Sequence, residues 1–195
     1  MLKKKLLLLF LLSLFAGCGY QIKTAPNAAY RTVSVPYFEG DGDGRITAQV
    51  IQSLATETPY RYISGKGDLT LSGKVILNDV GQIGYKYDRT PAGALENRLV
   101  PDEGRSIVTV EFTLSSGDEI ILGPITVTGT GNFDFVNPDT INDLSFVDTT
   151  GATQSVLTFS LGQLDAKEGA SDAALNVAYT EIASKIAHAV CNIRK

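Results

Sequence analysis

The residues with the greatest capacity for chemistry are two cysteines, Cys18 and Cys191, and the single histidine, His188. A cysteine can be half of a disulfide, a metal ligand, a buried thiol or a covalent attachment point. The two cysteines lie near opposite ends of the chain, and one histidine cannot complete a metal site with them at any usual spacing. The residues around Cys18, which read SLFAGCGY, must therefore decide its role.

The first 17 residues have the layout of an export signal. Three lysines at positions 3–5 precede an uninterrupted apolar run at 6–12, and Ala16 and Gly17 lie directly before Cys18. A basic start, an apolar run of about 7–15 residues and a small-residue exit are typical of a secretory signal peptide. A membrane-spanning helix needs roughly 20 apolar residues, more than this run provides. The sequence predicts that residues 1–17 are a signal peptide.

Small residues directly before a cysteine resemble a bacterial lipoprotein signal, with Phe15 where leucine is usual. The resemblance implies cleavage before Cys18, a diacylglycerol on its thiol and a further acyl chain, such as palmitate, on its amine. Several acyl chains on one residue bind a membrane stably. Cys191 is then the one free thiol, and we interpret it as a small residue near a helix end.

The segment EGDGDGRI is the sharpest candidate for a metal-binding loop. Glu39, Asp41 and Asp43 fall at the first, third and fifth positions of a calcium-binding loop, but the twelfth position, which needs a carboxylate, is Val50. The pattern favours a polar turn whose last aspartate, Asp43, caps the following helix.

The remaining composition argues against an enzyme. His188 projects away from the apolar stripe of a predicted helix and is expected to be solvated, so a Ser-His-Asp or Cys-His arrangement lacks a base. No GxxxxGK phosphate loop occurs. We expect no catalytic residue, cofactor or metal. The 17 basic residues include the three of the signal peptide, so the rest carries 14 basic and 21 acidic residues, a net charge of −7. An acidic domain is a poor nucleic-acid binder.

A group of basic residues is the remaining candidate binding site. It comprises Lys86, Arg89, Arg98 and Arg105, and Tyr85, Tyr87 and Leu95 lie among them. Arginine offers two parallel hydrogen bonds to a phosphate, so the group could meet an anionic lipid headgroup. A solvated loop explains the same residues at least as well, and the sequence leaves both interpretations open.

The periodicity predicts the elements that position these residues. After a tether at 18–30, the predicted elements are a strand through Val33, Val35 and Tyr37, a helix over Arg45–Thr58, a strand over 69–77, a strand over 108–114, a turn at 115–119, a strand over 121–135 and a helix that Ser171 caps. Pro124, Gly129 and Gly131 indicate bulges or an edge position in the last strand.

This order predicts an α+β fold, β-α-β-β-β-α, in which two helices pack on one face of a mostly antiparallel four-stranded sheet. Residues 31–195 are expected to form one domain. Residues 80–104 and 137–168 lack clear periodicity and are predicted to be long loops, which are usually functional or mobile.

Several segments resemble the LPS-assembly lipoprotein family (LptE), in its divergent chlamydial forms. They are GCGYQI, TVSVPYFEGD, GDLTLSGKV, VTVEFTL and LGPITVTG. The resemblance covers most of residues 18–136 and the C-terminal helix. The segment FSLGQLDAKEGA, within 137–168, lies outside the family pattern.

The resemblance implies two helices on a four-stranded sheet. It also implies a lipid-anchored protein on the periplasmic face of the outer membrane, seated in a large β-barrel translocon (LptD), where it assists barrel assembly and delivers lipopolysaccharide. Gly19, rather than aspartate, after Cys18 is compatible with outer-membrane sorting. An alternative is a periplasmic regulatory or scaffold lipoprotein that docks another envelope protein, because PYFEGD is also similar to the first strand of such modules.

Overall fold

The computed structural model describes residues 32–90, 94–135, 145–155 and 167–193. In chain order the elements are β1 (Thr32–Ser34), α1 (Arg45–Glu57), β2 (Arg61–Tyr62), β3 (Leu69–Arg89), β4 (Leu95–Ser116), β5 (Glu119–Asp134), β6 (Ser145–Val147), β7 (Thr153–Ser155) and α2 (Lys167–Cys191). The predicted signal peptide, the tether and Cys18 lie outside the described residues.

The main sheet has five strands in the order β2-β1-β3-β4-β5. β1 runs parallel to both β2 and β3, whereas β3, β4 and β5 form antiparallel pairs. The α+β class is confirmed, but the four-strand count was wrong. β2 has only two residues, too few for alternation to reveal it. The parallel pairing of β1 with both β2 and β3 makes the sheet mixed. β6 and β7 form a separate pair within the predicted 137–168 loop.

The core lies between one face of the sheet and both helices. In β4, the alternate residues Val108, Val110, Phe112 and Leu114 are almost completely buried, as the alternation predicted. Residues from β1, β3 and both helices complete the same cluster. Burying one apolar stripe from each layer is the main source of stability of such a fold.

The start of α1 is stabilised by Asp41. One oxygen of the Asp41 carboxylate accepts the backbone N–H of Thr47 at 2.8 Å and its hydroxyl at 2.6 Å. The prediction that Asp43 caps the helix was wrong. Asp43 instead accepts the N–H of Arg45 at 3.1 Å, and Gly44 holds the cap position with a φ of 74°. Residues 39–44, which we call the acidic turn, therefore supply acceptors at the start of the helix, as expected, but the aspartate that does so is Asp41.

α2 begins at Lys167, before the predicted cap, Ser171. The Ser171 hydroxyl donates to the carbonyl of Glu168 at 3.0 Å, so it forms a local bond inside the helix rather than a cap. α2 lies unusually close to β5: a Cβ at Gly129 would be 2.1 Å from the carbonyl oxygen of Ala178. Glycine at this strand position and alanine on the facing helix permit that approach.

The predicted loop at 80–104 was wrong, because β3 and β4 continue through it as a long antiparallel hairpin. Register irregularities at four places in this ladder interrupt the two-residue alternation, so the sequence pattern does not reveal the strands here. β5 reaches only to Asp134, opposite Glu103. Past that point, within the described residues, the sheet narrows to two strands, and we call residues 85–89 and 95–101 the arm.

Candidate partner-binding surface

The sheet face opposite the helices, which we call the open face, is polar. Alternate residues of β4 point to it, and Thr109 shares a hydrogen bond with Thr128 of β5 at 2.9 Å between the hydroxyl oxygens. Beside them, the Arg105 Nε donates to the side-chain oxygen of Asn132 at 2.7 Å. The exposed positions of β5 on this face include Thr126, Thr128, Thr130 and Asn132. The β5 side of the open face therefore presents hydrogen-bonding groups, and the exposed Leu77, opposite Thr109, is an apolar residue on its β3 side.

At the β3 side of the open face, charges are paired. The ammonium of Lys74 lies 2.6 Å from the carboxylate of Glu39, and Lys74 is directly opposite Glu111 in the ladder. The hydrogen bond to Glu39, with smaller contributions from its charge and that of Glu111, raises the pKa of Lys74. Solvent-exposed pairs of this kind contribute little to stability but fix the position of their groups.

The arm carries an exposed apolar face. Tyr85 lies opposite Pro101 and Tyr87 opposite Leu99, and directly opposed side chains share a face of an antiparallel pair. Tyr85, Tyr87 and Leu99 are 58%, 55% and 59% exposed. Contiguous exposed apolar side chains mark interaction surfaces. We call these four residues the aromatic face. The two tyrosines two positions apart were the sequence signal for it, but they were assigned to a loop.

The other face of the arm holds charged pairs. Lys86 lies 3.9 Å from Asp102, and Arg98 lies 3.6 Å from the nearly buried carboxylate of Asp88. Arg89 is opposite Leu95 near the end of the arm. Arg105 lies on the three-stranded part of the sheet. The structure therefore places Lys86 and Arg98 on the same face of the arm, each beside a carboxylate, and Arg105 outside the arm.

The acidic turn borders a cleft of about 270 Å³ between α1, β3 and α2. The Arg45 guanidinium in this region lies 3.6 Å from Asp43, donates to Asn176 at 2.6 Å and lies 5.4 Å from the ring centre of Tyr179. It also binds Asp172, and this hydrogen bond is the main cause of its raised pKa. Within the four described ranges, no three metal-ligating side chains converge. Arg45, beside the acidic turn, thus connects the start of α1 to α2.

The two remaining reactive side chains lie at the end of α2. The His188 side chain is 72% exposed, with its Nε2 3.6 Å from the carboxylate of Glu57. Cys191 is exposed, and its sulfur lies 3.4 Å from the Glu57 carbonyl oxygen. A solvated histidine and a cysteine near the helix end were both predicted, and both predictions are confirmed.

No helix in the described part of the chain combines the length and apolar character required to cross a membrane. No family model matches the chain, and no curated protein sequence matches it.

The chain is similar in structure to several bacterial proteins. A minor lipoprotein from Acinetobacter baumannii is 10% identical, with a TM-score of 0.42, over 83% of this chain and 93% of that one. Uncharacterized lipoprotein B from Nitrosomonas europaea is 10% identical, with a TM-score of 0.47, over 88% and 87%. A hypothetical protein from Chlamydia trachomatis is 6% identical, with a TM-score of 0.43, over 84% and 99%. Likeness at this level assigns no function to this chain.

Proposed function

We propose that this protein is a lipid-anchored, non-catalytic factor on the periplasmic face of the outer membrane. In this proposal it assists lipopolysaccharide transport by seating inside a β-barrel translocon and supporting its assembly. The observation that carries the proposal is the open face, a three-stranded polar surface whose reverse side is covered by both helices.

The open face suits the interior of a barrel. The lumen of an outer-membrane barrel is polar, and several such barrels are closed by a separate element inside them. The threonine hydroxyls of β5 and the bonded pair of Arg105 and Asn132 supply donors and acceptors over this surface. A buried polar contact requires such partners, because an unpaired group costs free energy. The open face can supply them without exposing the apolar core.

The aromatic face of the arm supports a second contact. Tyrosine combines a large apolar ring with a hydroxyl, so it suits a surface that is partly apolar and partly wet. Tyr85, Tyr87 and Leu99 lie beyond the end of β5, where the sheet has narrowed to two strands. A hairpin of two strands is only marginally stable in isolation. Contact with the barrel protein would cover these side chains and stabilise the arm.

We retain Lys86, Arg89, Arg98 and Arg105 as proposed lipopolysaccharide contacts. An anionic headgroup at Lys86 or Arg98 would compete with Asp102 or Asp88. Replacing Asp102 with asparagine should therefore strengthen crosslinking of lipopolysaccharide to a photoreactive residue placed at Arg98, which lies on the same face of the arm as Lys86. The same substitution at Asp118, in the β4–β5 turn, is the control. Equal crosslinking in both variants would contradict the contact at Lys86.

The anchor is tested by comparing the two cysteines. Cys18→Ser should abolish incorporation of labelled palmitate and release the protein from the outer-membrane fraction. Cys191→Ser, the same substitution at the exposed helix end, should leave both unchanged. Label retained in Cys18→Ser would refute the proposed anchor.

The partner is tested by photocrosslinking in cells. A photoreactive amino acid at Thr126 probes the open face, and one at Tyr87 probes the aromatic face. Both should yield an adduct with a large outer-membrane β-barrel protein, and depletion of this chain should lower surface lipopolysaccharide. An adduct with a soluble envelope enzyme, together with unchanged surface lipopolysaccharide, would instead support the scaffold function. Absence of any adduct at both positions would contradict both.

A further inference from the structure

β5 has an outer edge that its own sequence does not protect. It is the last strand in the sheet order of the described residues. Between its terminal residues Glu119 and Asp134 there is no charged side chain, and the stretch 125–130 reads ITVTGT. Uncharged edge strands rich in β-branched residues pair readily with other strands. Natural proteins usually block such edges with charges on the strand itself.

The missing charges come from α2. The ammonium of Lys185 donates to the backbone carbonyl of Thr128 at 2.7 Å, and the backbone N–H of Thr130 donates to the Glu181 carboxylate at 2.8 Å. Lys185 and Glu181 also pair with each other at 2.7 Å. We call this pair of side chains the clip. The bond from Lys185 and the N–H of Thr130 both lower the pKa of Glu181.

The clip occupies the places that an added strand would take. An antiparallel neighbour would donate an N–H to the carbonyl of Thr128 and accept the N–H of Thr130, because these two groups flank Gly129 on the outer side. The ammonium of Lys185 replaces the donor, and the carboxylate of Glu181 replaces the acceptor. The close approach of Ala178 to Gly129 holds α2 where both side chains reach the edge.

We propose that the β5 edge is a strand-addition surface for β5 of a second copy of this chain, and that the clip keeps it closed. Antiparallel self-pairing centred on Gly129 places Thr128 opposite Thr130 and Val127 opposite Gly131. Opposed residues along 125–133 are then uncharged, so no like charges meet across the pair. Such an interface uses the same surface on both copies and closes as a two-fold dimer.

The test opens the clip in the full chain carrying Cys18→Ser, so that acylation does not confound the mass. Glu181→Ala with Lys185→Ala removes both side chains and keeps α2 rich in a strong helix former. Glu39→Ala with Lys74→Ala is the matched control, since it removes another exposed pair at 2.6 Å with the same change in charge. Analytical ultracentrifugation should show monomers for the parent and control. The clip variant should double in mass as concentration rises.

A third substitution distinguishes pairing of the β5 edges from nonspecific self-association. Adding Thr130→Pro to the clip variant removes the outward N–H, and proline is tolerated on edge strands, so the mass should return to that of a monomer. A clip variant that stays monomeric at the highest concentration overturns the proposal, and so does a dimer that Thr130→Pro leaves intact.

If the double variant does not fold, Glu181→Ala alone provides the same test. It removes the acceptor of the Thr130 N–H and leaves Lys185 in place. It should speed hydrogen exchange at the Thr130 amide and show weak, concentration-dependent dimerisation. An exchange rate and a mass both equal to those of the parent overturn the proposal.

Discussion

The close approach of α2 to β5 makes Gly129→Ala the most informative single substitution. An added Cβ would lie 2.1 Å from the Ala178 carbonyl oxygen and 2.8 Å from Cγ1 of Ile182. The isoleucine side chain can rotate, but the carbonyl belongs to the helix backbone and cannot move alone. Restoring an ordinary contact therefore requires α2 to retreat from the sheet by about 1.3 Å.

The expected cost follows from what that retreat disturbs. α2 contributes Ala178, Ile182 and Ile186 to the shared core, and each is completely buried. Forcing extra volume into a packed core typically costs about 1–3 kcal/mol. Because the obstacle here is backbone, we expect about 2 kcal/mol or more, which corresponds to a fall in Tm of roughly 4–8 °C for a domain of this size.

The assay is urea unfolding followed by far-ultraviolet circular dichroism. Gly81→Ala is the control, because it makes the same change in β3, where an added Cβ meets nothing within 4 Å. We expect its free energy of unfolding to stay within about 0.5 kcal/mol of the parent. If Gly129→Ala and Gly81→Ala unfold at the same urea concentration, the close helix–strand contact does not exist as described.

Three further perturbations have defined outcomes. Asp41→Ala removes the acceptor for the Thr47 N–H and should lower the free energy of unfolding by about 1 kcal/mol in the same urea assay; no change would exclude its role at the helix start. The pKa of Glu181 is lowered in the fold, so its stabilisation is present above its ordinary pKa and is lost as pH falls through the lowered value. Unfolding measured against pH should show this loss, and Glu181→Gln should remove it; identical profiles would refute the assignment. Tyr87→Ser with Leu99→Ser should change the free energy of unfolding by less than about 1 kcal/mol, because both side chains are exposed. The same variant should lose the crosslink formed from Thr126, and a retained crosslink would contradict the role of the aromatic face.

The sequence predicted the elements that bury one face. Ile46, Val50 and Leu54 recur at helical spacing, and all three are buried in α1. Val108 and Val110 alternate in β4 and are completely buried. These patterns are readable because water lies on one side of the element and the core on the other.

The strands of the arm were not predicted, because polarity and burial do not correspond in this part of the chain. Tyr85 and Tyr87 are exposed, while the intervening Lys86 and the next residue, Asp88, are less exposed than the tyrosines, so polarity does not report burial there. Bulges in the hairpin also interrupt the spacing. The aromatic face depends on pairing between strands whose register the local sequence does not reveal.

The clip illustrates a different limit. Glu181 and Lys185 are four residues apart on α2, a spacing that indicates an ordinary surface ion pair on a helix. Their contacts with Thr128 and Thr130 depend on how closely α2 lies over β5. That distance is set by Gly129 and its facing alanine, so it becomes visible only in three dimensions.

The length of β3 gives the molecule a long reach. β3 begins beside β1, where the described chain enters the sheet at Thr32, and continues to Arg89. At about 3.3 Å per residue, its far end lies up to roughly 65 Å from its start. The 14 residues from Cys18 to Thr32 extend at most about 50 Å. If Cys18 is the anchor, the hairpin places the aromatic face at a different depth in the envelope from the base of the sheet, so that the length of the hairpin, added to that of the tether, sets where a partner is met.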